Sequence, residues 1–458
     1  MNGRWRGAAP LLSGPLRYAR WLYPGLGVKR WLIVALLGAL LLSDGITRWL
    51  TAEGAHFEVN QLIDDMFDQL MPLSLLSYLF MIVGAVAVVV GIRQWMRSIV
   101  LAIAPRTKPD LVDALMSRRL RGGYKIVAIG GGTGLSTLLR GLKRYTTNLT
   151  AVVTVTDDGG SSGRLQKELG ILPPGDIRNC LVALADDEAL VTDLFRYRFS
   201  EGEGLTGHSF GNLFLAAMTG ITGNFDRAVK ESSRVLNVKG RVLPSTLDNV
   251  RLRATLVDGT VIDGETNITR SHAPIAKLEL EPAGAAPLDE VVEAIRDADA
   301  IVLGPGSLYT SILPNFLVQG IAREVAQASG ARIYICNVMT QPGETDTFTA
   351  SQHVERLLYE AGARVCDFVV VNEEPPRRLL DVYAEEGQAP VQPDRSAIES
   401  LGVRAVGASV ISETDTVRHD PTKLAEVVLK LIDECVAERS SFVKLPLPPA
   451  PAKEVASG

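Results

Sequence analysis

The stretch YKIVAIGGGTGLSTLLRGLK, residues 124–143, joins an apolar run to a group of glycines and then to a leucine-rich segment. The apolar run at 124–130 predicts a buried β-strand, and residues 134–144 predict a helix. A glycine-rich turn between a strand and a helix lets backbone N–H groups approach an anion, and the helix N-terminus adds partial positive charge. We therefore predict that this turn binds part of an anionic ligand through Gly130, Gly131, Gly132, Thr133 and Gly134.

Two common nucleotide-binding motifs do not fit this turn. No Gly-Lys-Ser/Thr follows the glycines, so the turn is not a P-loop. Leu135 occupies the third glycine position of the dinucleotide-binding GxGxxG motif. A tight turn that only packs the helix on the strand is the alternative interpretation.

Apolar strands and helical segments alternate through the rest of this region. Because such strands read as continuous apolar runs, the pattern predicts an α/β fold with a mostly parallel, doubly wound sheet. The further predicted strands are at 151–156, 300–304, 332–337 and 367–372. Between about 238 and 282 the period of apolar residues is short and Asp-Gly turn signals recur. This pattern predicts a small antiparallel β insert.

Composition restricts the functional classes. At ~100–200 residues per unit, the 458 residues predict two to four structural units. The net charge of −5 provides no global basic field, so no nucleic-acid partner is expected. The cysteines are too widely spaced for a zinc site or a disulfide framework and indicate reduced thiols in a cytosolic domain. They are Cys180, Cys336, Cys366 and Cys435.

The N-terminal region predicts two membrane spans. Residues 71–92 carry no charge and are long enough to cross a ~30 Å hydrocarbon core. The apolar run at 31–42 extends to about residue 50 only if Asp44 and Arg48 are included, and alone it is typical of a signal peptide. Since a second apolar run follows, we favour a helical hairpin with spans at about 31–50 and 71–92.

The flanking charges predict the orientation of this hairpin. Arginine and lysine precede the first run and follow the second, whereas the connection between the runs is acidic. Because Lys and Arg stay on the cytoplasmic side, both termini and the large C-terminal part are expected in the cytoplasm of a two-pass membrane protein. The predicted segments are the hairpin at 1–97, a basic juxtamembrane linker at 98–122, the binding domain at 123–440 and a disordered Pro/Ala-rich tail at 441–458.

A second glycine-rich loop, TDDGGSSGRL at 156–165, also follows a predicted strand. In open α/β sheets, ligands bind at the C-terminal ends of the strands. Asp157 and Asp158 are candidates for binding ribose hydroxyls or a hydrated Mg²⁺, the one cofactor considered, and for catalysis. Plain turn chemistry is the alternative. The phosphate-binding candidates of this loop are Gly159, Gly160, Ser161 and Ser162.

Four more stretches concentrate small polar residues at expected loops or helix starts, which suggests one continuous crevice. Arg178 would suit a phosphorylated ligand and is a catalytic candidate. His208 is also a catalytic candidate, although a lone histidine is more often structural. The ligand-binding candidates of these stretches are Arg178, Asn179, His208, Ser209, Asn212, Gly304, Gly306, Ser307, Thr310, Asn337 and Thr340.

Taken as whole motifs, these stretches resemble the bacterial gluconeogenesis-factor family of the YvcK type. This family belongs to a superfamily that includes CofD, a phospholactate transferase of deazaflavin cofactor assembly. The resemblance covers roughly residues 124–440. It rests on IGGGTGLSTLLRGLK, VTVTDDGGSSGRL, GILPPGDIRNCLVALA, GHSFGNL, VLGPGSLYTSILPNFLV and CNVMTQPGETD.

The resemblance implies a modified Rossmann-like fold that binds a nucleotide sugar, UDP-N-acetylglucosamine. In this family such binding is linked to cell shape and wall-precursor supply during gluconeogenic growth. It also implies that Tyr383 stacks on uracil and that Arg418 pairs with the diphosphate. The predicted membrane hairpin distinguishes this chain from the short soluble members of the family.

Two functional hypotheses follow. The first is a membrane-tethered regulator that senses the nucleotide sugar and acts on a protein partner in wall synthesis or central metabolism, with a homodimer left open. The second is a CofD-type phosphotransferase that uses a nucleotide-diphosphate donor, with Mg²⁺ on Asp157 or Asp158 and Arg178 at the transferring group. The forms DDGGSSGRL and LPPGDIRN favour the regulator.

Overall fold

Two long apolar helices, α1 (Val28–Ala52) and α2 (Leu73–Ile103), form the described part of the N-terminal region. The computed structural model describes residues 28–52, 73–103, 120, 122–186, 188–414 and 416–443. The chain divides into two units, residues 1–118 and 119–458. The acidic connection between the two helices and most of the predicted linker at 98–122 lie outside the described residues.

Glycines let the backbones of α1 and α2 approach each other closely. A Cβ atom on Gly38 would lie 2.7 Å from the Val88 nitrogen, and one on Gly84 would lie 2.6 Å from the Leu42 nitrogen. Small residues allow this kind of packing between helices in a membrane. Asp44 and Arg48, the two charged residues of the first predicted span, form an ion pair in which Arg48 Nε lies 2.8 Å from Asp44 Oδ2.

Both helices are candidate membrane spans by length and composition, at Trp31–Trp49 and Ser77–Met96. Their outward faces are apolar, with Leu40 and Val89 about two-thirds exposed. These faces support an association with a membrane. The orientation of the hairpin and the cytoplasmic position of the C-terminal region remain predictions.

The second unit begins with alternating strands and helices. The elements of its first half are β1 (Ile126–Gly130), α3 (Gly132–Leu142), β2 (Leu149–Val153), α4 (Gly160–Leu169), α5 (Gly175–Leu184), α6 (Glu188–Arg196), α7 (Phe210–Thr222), α8 (Phe225–Val235), β3 (Arg241–Pro244), β4 (Arg251–Leu256), β5 (Val261–Asp263), α9 (Glu265–Ser271) and β6 (Ile275–Glu281).

The second half continues the same alternation and ends in a long helix. Its elements are α10 (Asp289–Arg296), β7 (Ala300–Leu303), a π-helical turn (Leu308–Ile312), α11 (Leu313–Leu317), α12 (Ile321–Gln327), β8 (Ala331–Ile335), α13 (Ala350–Ala361), β9 (Phe368–Asn372), α14 (Leu380–Glu385), α15 (Arg395–Ser400), β10 (Arg404–Ala408), β11 (Ile411–Glu413), β12 (Val417–His419) and α16 (Pro421–Val443).

Seven parallel strands form the central sheet in the order β10-β9-β8-β7-β1-β2-β3. Strands β1, β2 and β7 are buried at every position because helices cover both faces of the sheet. This arrangement confirms the predicted α/β fold with a doubly wound, mostly parallel sheet. The strand order reverses between β1 and β7, which is the topological switch point of the sheet.

The antiparallel insert is narrower than the predicted range of 238–282. Its three strands, in the order β5-β4-β6, occupy residues 251–281. Residues 241–244 instead form β3, which pairs in parallel with β2 at the edge of the central sheet. At the C-terminus, α16 extends to Val443, beyond the predicted start of the tail at 441, and the remaining tail residues lie outside the described part of the chain.

Candidate functional site

The first glycine-rich turn lies at the switch point, between the C-terminal ends of β1 and β7. The Gly304 nitrogen donates to the Ile129 carbonyl at 2.8 Å, which joins the two strand ends. Gly132 adopts a left-handed conformation with φ +61°, and a Cβ on Gly131 would lie 2.7 Å from the Asp176 carboxylate. Glycine is required here because the backbone turns sharply against neighbouring groups. The Gly132 N–H donates to the Asp176 carboxyl, and residues 131–134 of the turn line a cleft at the switch point.

The switch-point cleft has a volume of about 520 Å³. Its lining comes from the turns after β1 and β7 and from α14, β12 and the segment after β8. The predicted site residues in its lining are Gly131, Gly132, Thr133, Gly134, Gly306, Ser307, Thr310, Asn337, Tyr383 and Arg418. Residues from distant parts of the sequence thus meet in one cleft.

Tyr383 and Arg418 line the same cleft as the glycine turn. The Val417 backbone nitrogen donates to the Tyr383 hydroxyl at 3.0 Å, which links α14 to β12. The tyrosine ring packs against a small apolar cluster that includes Met339 and Ile411. Arg418 is exposed, and its side chain makes no hydrogen bond or ion pair with any residue that the structure describes. Its guanidinium can therefore bind an anionic ligand without breaking an existing contact.

The other half of the predicted site forms a separate cavity of about 230 Å³. We call it the arginine cavity, because Arg178 and Arg198 both line it. The predicted site residues in its lining are Asp157, Gly159, Gly160, Ser161, Ser162, Arg178, Asn179 and Asn212. The single crevice expected from the sequence is thus two neighbouring cavities.

Arg178 is held by neutral partners. Its guanidinium donates to the Ser209 hydroxyl at 2.7 Å and to the side-chain oxygens of Asn212 and Asn179, each at 2.9 Å. Burial lowers the pKa of Arg178, and the nearby charge of Arg198 lowers it further. The guanidinium remains charged because its ordinary pKa lies so far above neutrality. The arrangement orients a partly buried cation at the edge of the cavity.

Several predicted residues line neither cavity. His208 is buried, and its Nδ1 shares a hydrogen bond of 2.9 Å with the Ser161 hydroxyl. Burial lowers the pKa of His208, which favours the neutral imidazole. The Ser209 side chain caps α7 by accepting from the Asn212 nitrogen. The other members of this group are Gly130, Asp158, Gly304 and Thr340.

The two neighbouring aspartates have different surroundings. The Asp158 carboxylate accepts hydrogen bonds from the Thr266 nitrogen at 2.9 Å and from its hydroxyl at 2.7 Å, so it ties the loop to α9. Asp157 lines the arginine cavity and accepts from the Gly159 nitrogen at 3.0 Å. Within the described ranges, no group of three or more His, Cys, Asp or Glu residues is arranged to hold a metal ion. The ribose and Mg²⁺ hypotheses therefore rest on Asp157.

Sequence reasoning missed a group of carboxyls near the cleft. Glu265 lines the cleft, and burial raises its pKa well above the ordinary value, with further increases from Asp157 and Asp176. Burial, followed by the charge of Asp157, raises the pKa of Asp176 to about 7. Burial also raises the pKa of Glu344 to about 7. Asp176 and Glu344 lie inside motifs already identified, whereas Glu265 lies in the insert and had no motif to mark it.

His419 is a second missed residue of the cleft lining. It follows Arg418 directly on β12, and burial lowers its pKa to about 4. Its imidazole is therefore neutral at physiological pH. A hydrogen bond to the backbone of Cys336 holds the ring. In the sequence, only the neighbouring Arg418 indicated that this stretch belongs to the site.

Comparisons with known proteins agree with this architecture. The family model described as 2-phospho-L-lactate transferase CofD matches residues 126–411. A gluconeogenesis factor from Bacillus subtilis is 50% identical over 312 residues, which cover 68% of this chain and 98% of the relative. A crystal structure of a UPF0052-family protein from Bacillus halodurans superimposes with a TM-score of 0.65 at 48% identity, and the match covers 67% of this chain and 99% of that chain.

A longer relative also covers the N-terminal region. The chain from Nostoc sp. is 48% identical over 422 residues, which cover 90% of this chain and 92% of the relative. Since the second unit begins at residue 119, a match of this length extends into the first unit. The N-terminal segment is therefore shared with some relatives, whereas the short ones match the chain without it.

Proposed function

The chain belongs to the gluconeogenesis factor family of the CofD superfamily, and from this premise we propose that it is a regulator that binds UDP-N-acetylglucosamine in the switch-point cleft. The observation that carries the proposal is that Tyr383 and Arg418 line the same cleft as the glycine turn after β1. The cleft thus combines an aromatic face, a cation and a glycine-rich turn at the start of a helix.

The walls of the cleft match the parts of a nucleotide sugar. The half-buried Tyr383 ring provides a stacking surface for uracil. The Arg418 guanidinium, which has no partner among the described residues, provides charge-assisted hydrogen bonds to the diphosphate. The turn at residues 131–134 and the polar side chains of Ser307 and Thr310 provide further donors for phosphate or sugar oxygens. A volume of about 520 Å³ lies within the range of pockets for ligands of this size.

Regulation would follow from differential affinity. A ligand shifts a conformational equilibrium only if it binds one conformation more tightly than the other. The cleft lies between elements that are distant in sequence, so a ligand that bridges Arg418 and the glycine turn would favour the conformation in which they are close. A protein partner in wall synthesis or central metabolism would bind preferentially to this conformation. Binding of the nucleotide sugar would in this way be linked to cell shape during gluconeogenic growth. The two candidate spans would keep the protein at the cell membrane.

A phosphotransferase is the second candidate, because the arginine cavity adjoins the glycine turn. Gly131 packs against Asp176, which itself lines the arginine cavity. A donor in the cleft and an acceptor near Arg178 would place a transferring group between the two cavities. In that case Arg178 would stabilise the developing charge.

The fate of the ligand distinguishes the two functions. We would titrate the full chain in lipid nanodiscs with UDP-N-acetylglucosamine by calorimetry, with and without Mg²⁺, and then analyse the ligand by mass spectrometry. Saturable binding with intact ligand is expected for the regulator. Metal-dependent consumption of the ligand would establish a transferase instead, and no binding at millimolar ligand would overturn the proposal.

A further inference from the structure

The arginine cavity contains cationic donors that the described residues leave unused. Arg178 uses both Nη1–H groups and one Nη2–H for its neutral partners, so its Nε–H and the other Nη2–H have no acceptor in the described ranges. Arg198 lines the same cavity, is exposed, and donates from Nη1 to the Gly207 carbonyl. Its other N–H groups make no hydrogen bond with a residue that the structure describes. Both guanidinium groups can therefore bind a ligand without losing a contact.

Two helices begin in the lining of this cavity. Helix α4 starts at Gly160 and α5 starts at Gly175, and neither has a side-chain hydrogen bond that caps its first turn. The first N–H groups of a helix have no partner inside the helix and carry partial positive charge. The Ser162 hydroxyl, which accepts from the Asn212 side chain at 3.5 Å, keeps its own proton available as a donor. These donors add to the two arginines.

Two carboxyls, Asp157 and Asp176, also line the cavity. Asp157 accepts from the Gly159 nitrogen at 3.0 Å, and Asp176 accepts from the Gly132 nitrogen. Burial, followed by the charge of Asp157, raises the pKa of Asp176 to about 7, so this carboxyl carries only part of a negative charge near neutral pH. Carboxylate oxygens accept hydrogen bonds from hydroxyl groups. The cavity therefore suits a ligand that combines an anionic group with hydroxyls.

The size of the cavity excludes a whole nucleotide sugar. Its volume of about 230 Å³ is less than half that of the switch-point cleft, about 520 Å³. Pockets for drug-sized ligands usually measure about 300–1,000 Å³. The occupant is therefore smaller than the ligand proposed for the cleft. Among small anions, a phosphate monoester matches the donors, because it is close to dianionic at neutral pH and its oxygens are strong acceptors.

We propose that the arginine cavity binds a small phosphate monoester with free hydroxyl groups, such as a sugar phosphate, as a second ligand distinct from the nucleotide sugar. Arg178 and Arg198 form charge-assisted hydrogen bonds with the phosphate oxygens. The N-terminal N–H groups of α4 and α5 contribute further donors, as helix N-termini do at phosphate sites. Asp157 accepts a hydrogen bond from a hydroxyl of the ligand. This site does not depend on what the switch-point cleft binds.

Glycerol 3-phosphate is the probe, because it is a small phosphate monoester with free hydroxyls. We would titrate the full chain in lipid nanodiscs with glycerol 3-phosphate, inorganic phosphate and glycerol by calorimetry in a phosphate-free buffer. We expect saturable binding of glycerol 3-phosphate, weaker binding of inorganic phosphate and no binding of glycerol. Arg198→Ala should weaken glycerol 3-phosphate binding about tenfold or more, because it removes hydrogen bonds between charged groups. The matched control is Arg227→Ala, which removes an exposed arginine of α8 outside the cavity and should bind like the native chain.

A second comparison separates this site from the cleft and from a loss of folding. Arg198→Ala should keep the native melting temperature and the native affinity for UDP-N-acetylglucosamine, whereas Arg418→Ala should keep the native affinity for glycerol 3-phosphate. No saturable binding of glycerol 3-phosphate at millimolar concentration would overturn the proposal, and so would an affinity that Arg198→Ala leaves unchanged. A loss of nucleotide-sugar affinity in folded Arg198→Ala would also overturn it, because one ligand would then span both cavities. If only the nucleotide sugar failed to bind, the regulator would be overturned and this site would stand.

Discussion

Gly134 packs directly against Pro305: a Cβ atom on Gly134 would lie 2.3 Å from the Pro305 carbonyl oxygen. This contact holds the turn after β1 against the turn after β7 in the lining of the cleft. The opposing atom belongs to the backbone and cannot be moved aside like a flexible side chain. The absence of a side chain at position 134 is therefore a structural requirement of the site.

Gly134→Ala is expected to destabilise the protein by about 1–3 kcal/mol, the usual range for overpacking, and to weaken nucleotide-sugar binding. The matched control is Gly220→Ala in α7, where an added Cβ has no heavy atom within 4 Å. Because alanine favours a helix, that variant should be neutral or stabilised by about 0.5–1 kcal/mol. Thermal unfolding of both variants checks this prediction. Equal melting temperatures for both would contradict the role assigned to Gly134.

Arg418→Ala is expected to weaken UDP-N-acetylglucosamine binding by about 1.5–3 kcal/mol, the contribution of a hydrogen bond to a charged group. Folding should be unaffected, because Arg418 is exposed and has no partner in the described part of the chain. Calorimetric titration gives the affinity. Arg227→Ala removes another exposed arginine, outside the cleft, and should bind like the native chain. Unchanged affinity of Arg418→Ala would remove this residue from the site.

Affinity for the anionic ligand is expected to rise as the pH is lowered from 8 to 6. Burial raises the pKa values of Asp176 and Glu344 to about 7, so these carboxyls gain protons over this interval. Protonation removes negative charge beside Gly131 and Thr310 of the cleft lining, and each pKa unit by which the ligand shifts a carboxyl is worth about tenfold in affinity. Titrations across this pH range measure the effect.

Glu265→Gln is the control for the pH dependence. Glu265 lines the cleft, and burial raises its pKa well above the ordinary value. The amide cannot ionise, so a flatter profile in the variant would assign part of the pH dependence to Glu265, whereas an unchanged profile would assign it to Asp176 and Glu344. An affinity that is constant between pH 6 and 8 in the native chain would show that these carboxyls do not sense the ligand.

Asp157→Asn separates the two candidate functions. An asparagine oxygen can still accept the hydrogen bond from the Gly159 nitrogen, so the loop should keep its shape. The regulator predicts metal-free binding within about twofold of the native chain, since Asp157 lies outside the switch-point cleft and such a substitution changes the free energy by at most about 0.5 kcal/mol. A transferase that holds Mg²⁺ on Asp157 would lose turnover. Mass spectrometry of the incubated ligand provides the measurement.

The central strands could be predicted from the sequence because their burial on both faces makes them apolar throughout. Strands β3 and β10 were not predicted, because these edge strands lack the continuous apolar runs of the central strands. Arg241 is exposed and Pro244 ends β3, while Gly407 interrupts β10. The insert was placed too wide for the same reason, since β3 was read as part of it.

The candidate site was predicted as a set of loops but not as two cavities. Parallel strands place their following loops at one edge of the sheet, which explains why the motif residues come close together. The sequence does not specify that Asp158 bonds to Thr266, because the two residues are distant in the chain. Glu265 and His419 reach the cleft only through the packing of the insert and of β12, which no local motif encodes.

The glycines of the N-terminal hairpin limit how its helices can move. Gly45 and Gly91 repeat the close contacts of Gly38 and Gly84, with Cβ positions 2.9 Å from the Met81 nitrogen and 2.7 Å from the Ala35 nitrogen. In each helix the two glycines are separated by two turns. A slide of one turn would bring larger residues against the opposing backbone at all four contacts. Piston-like sliding of α1 along α2 is thereby blocked, which suits an anchor better than a transmitter of signals across the membrane.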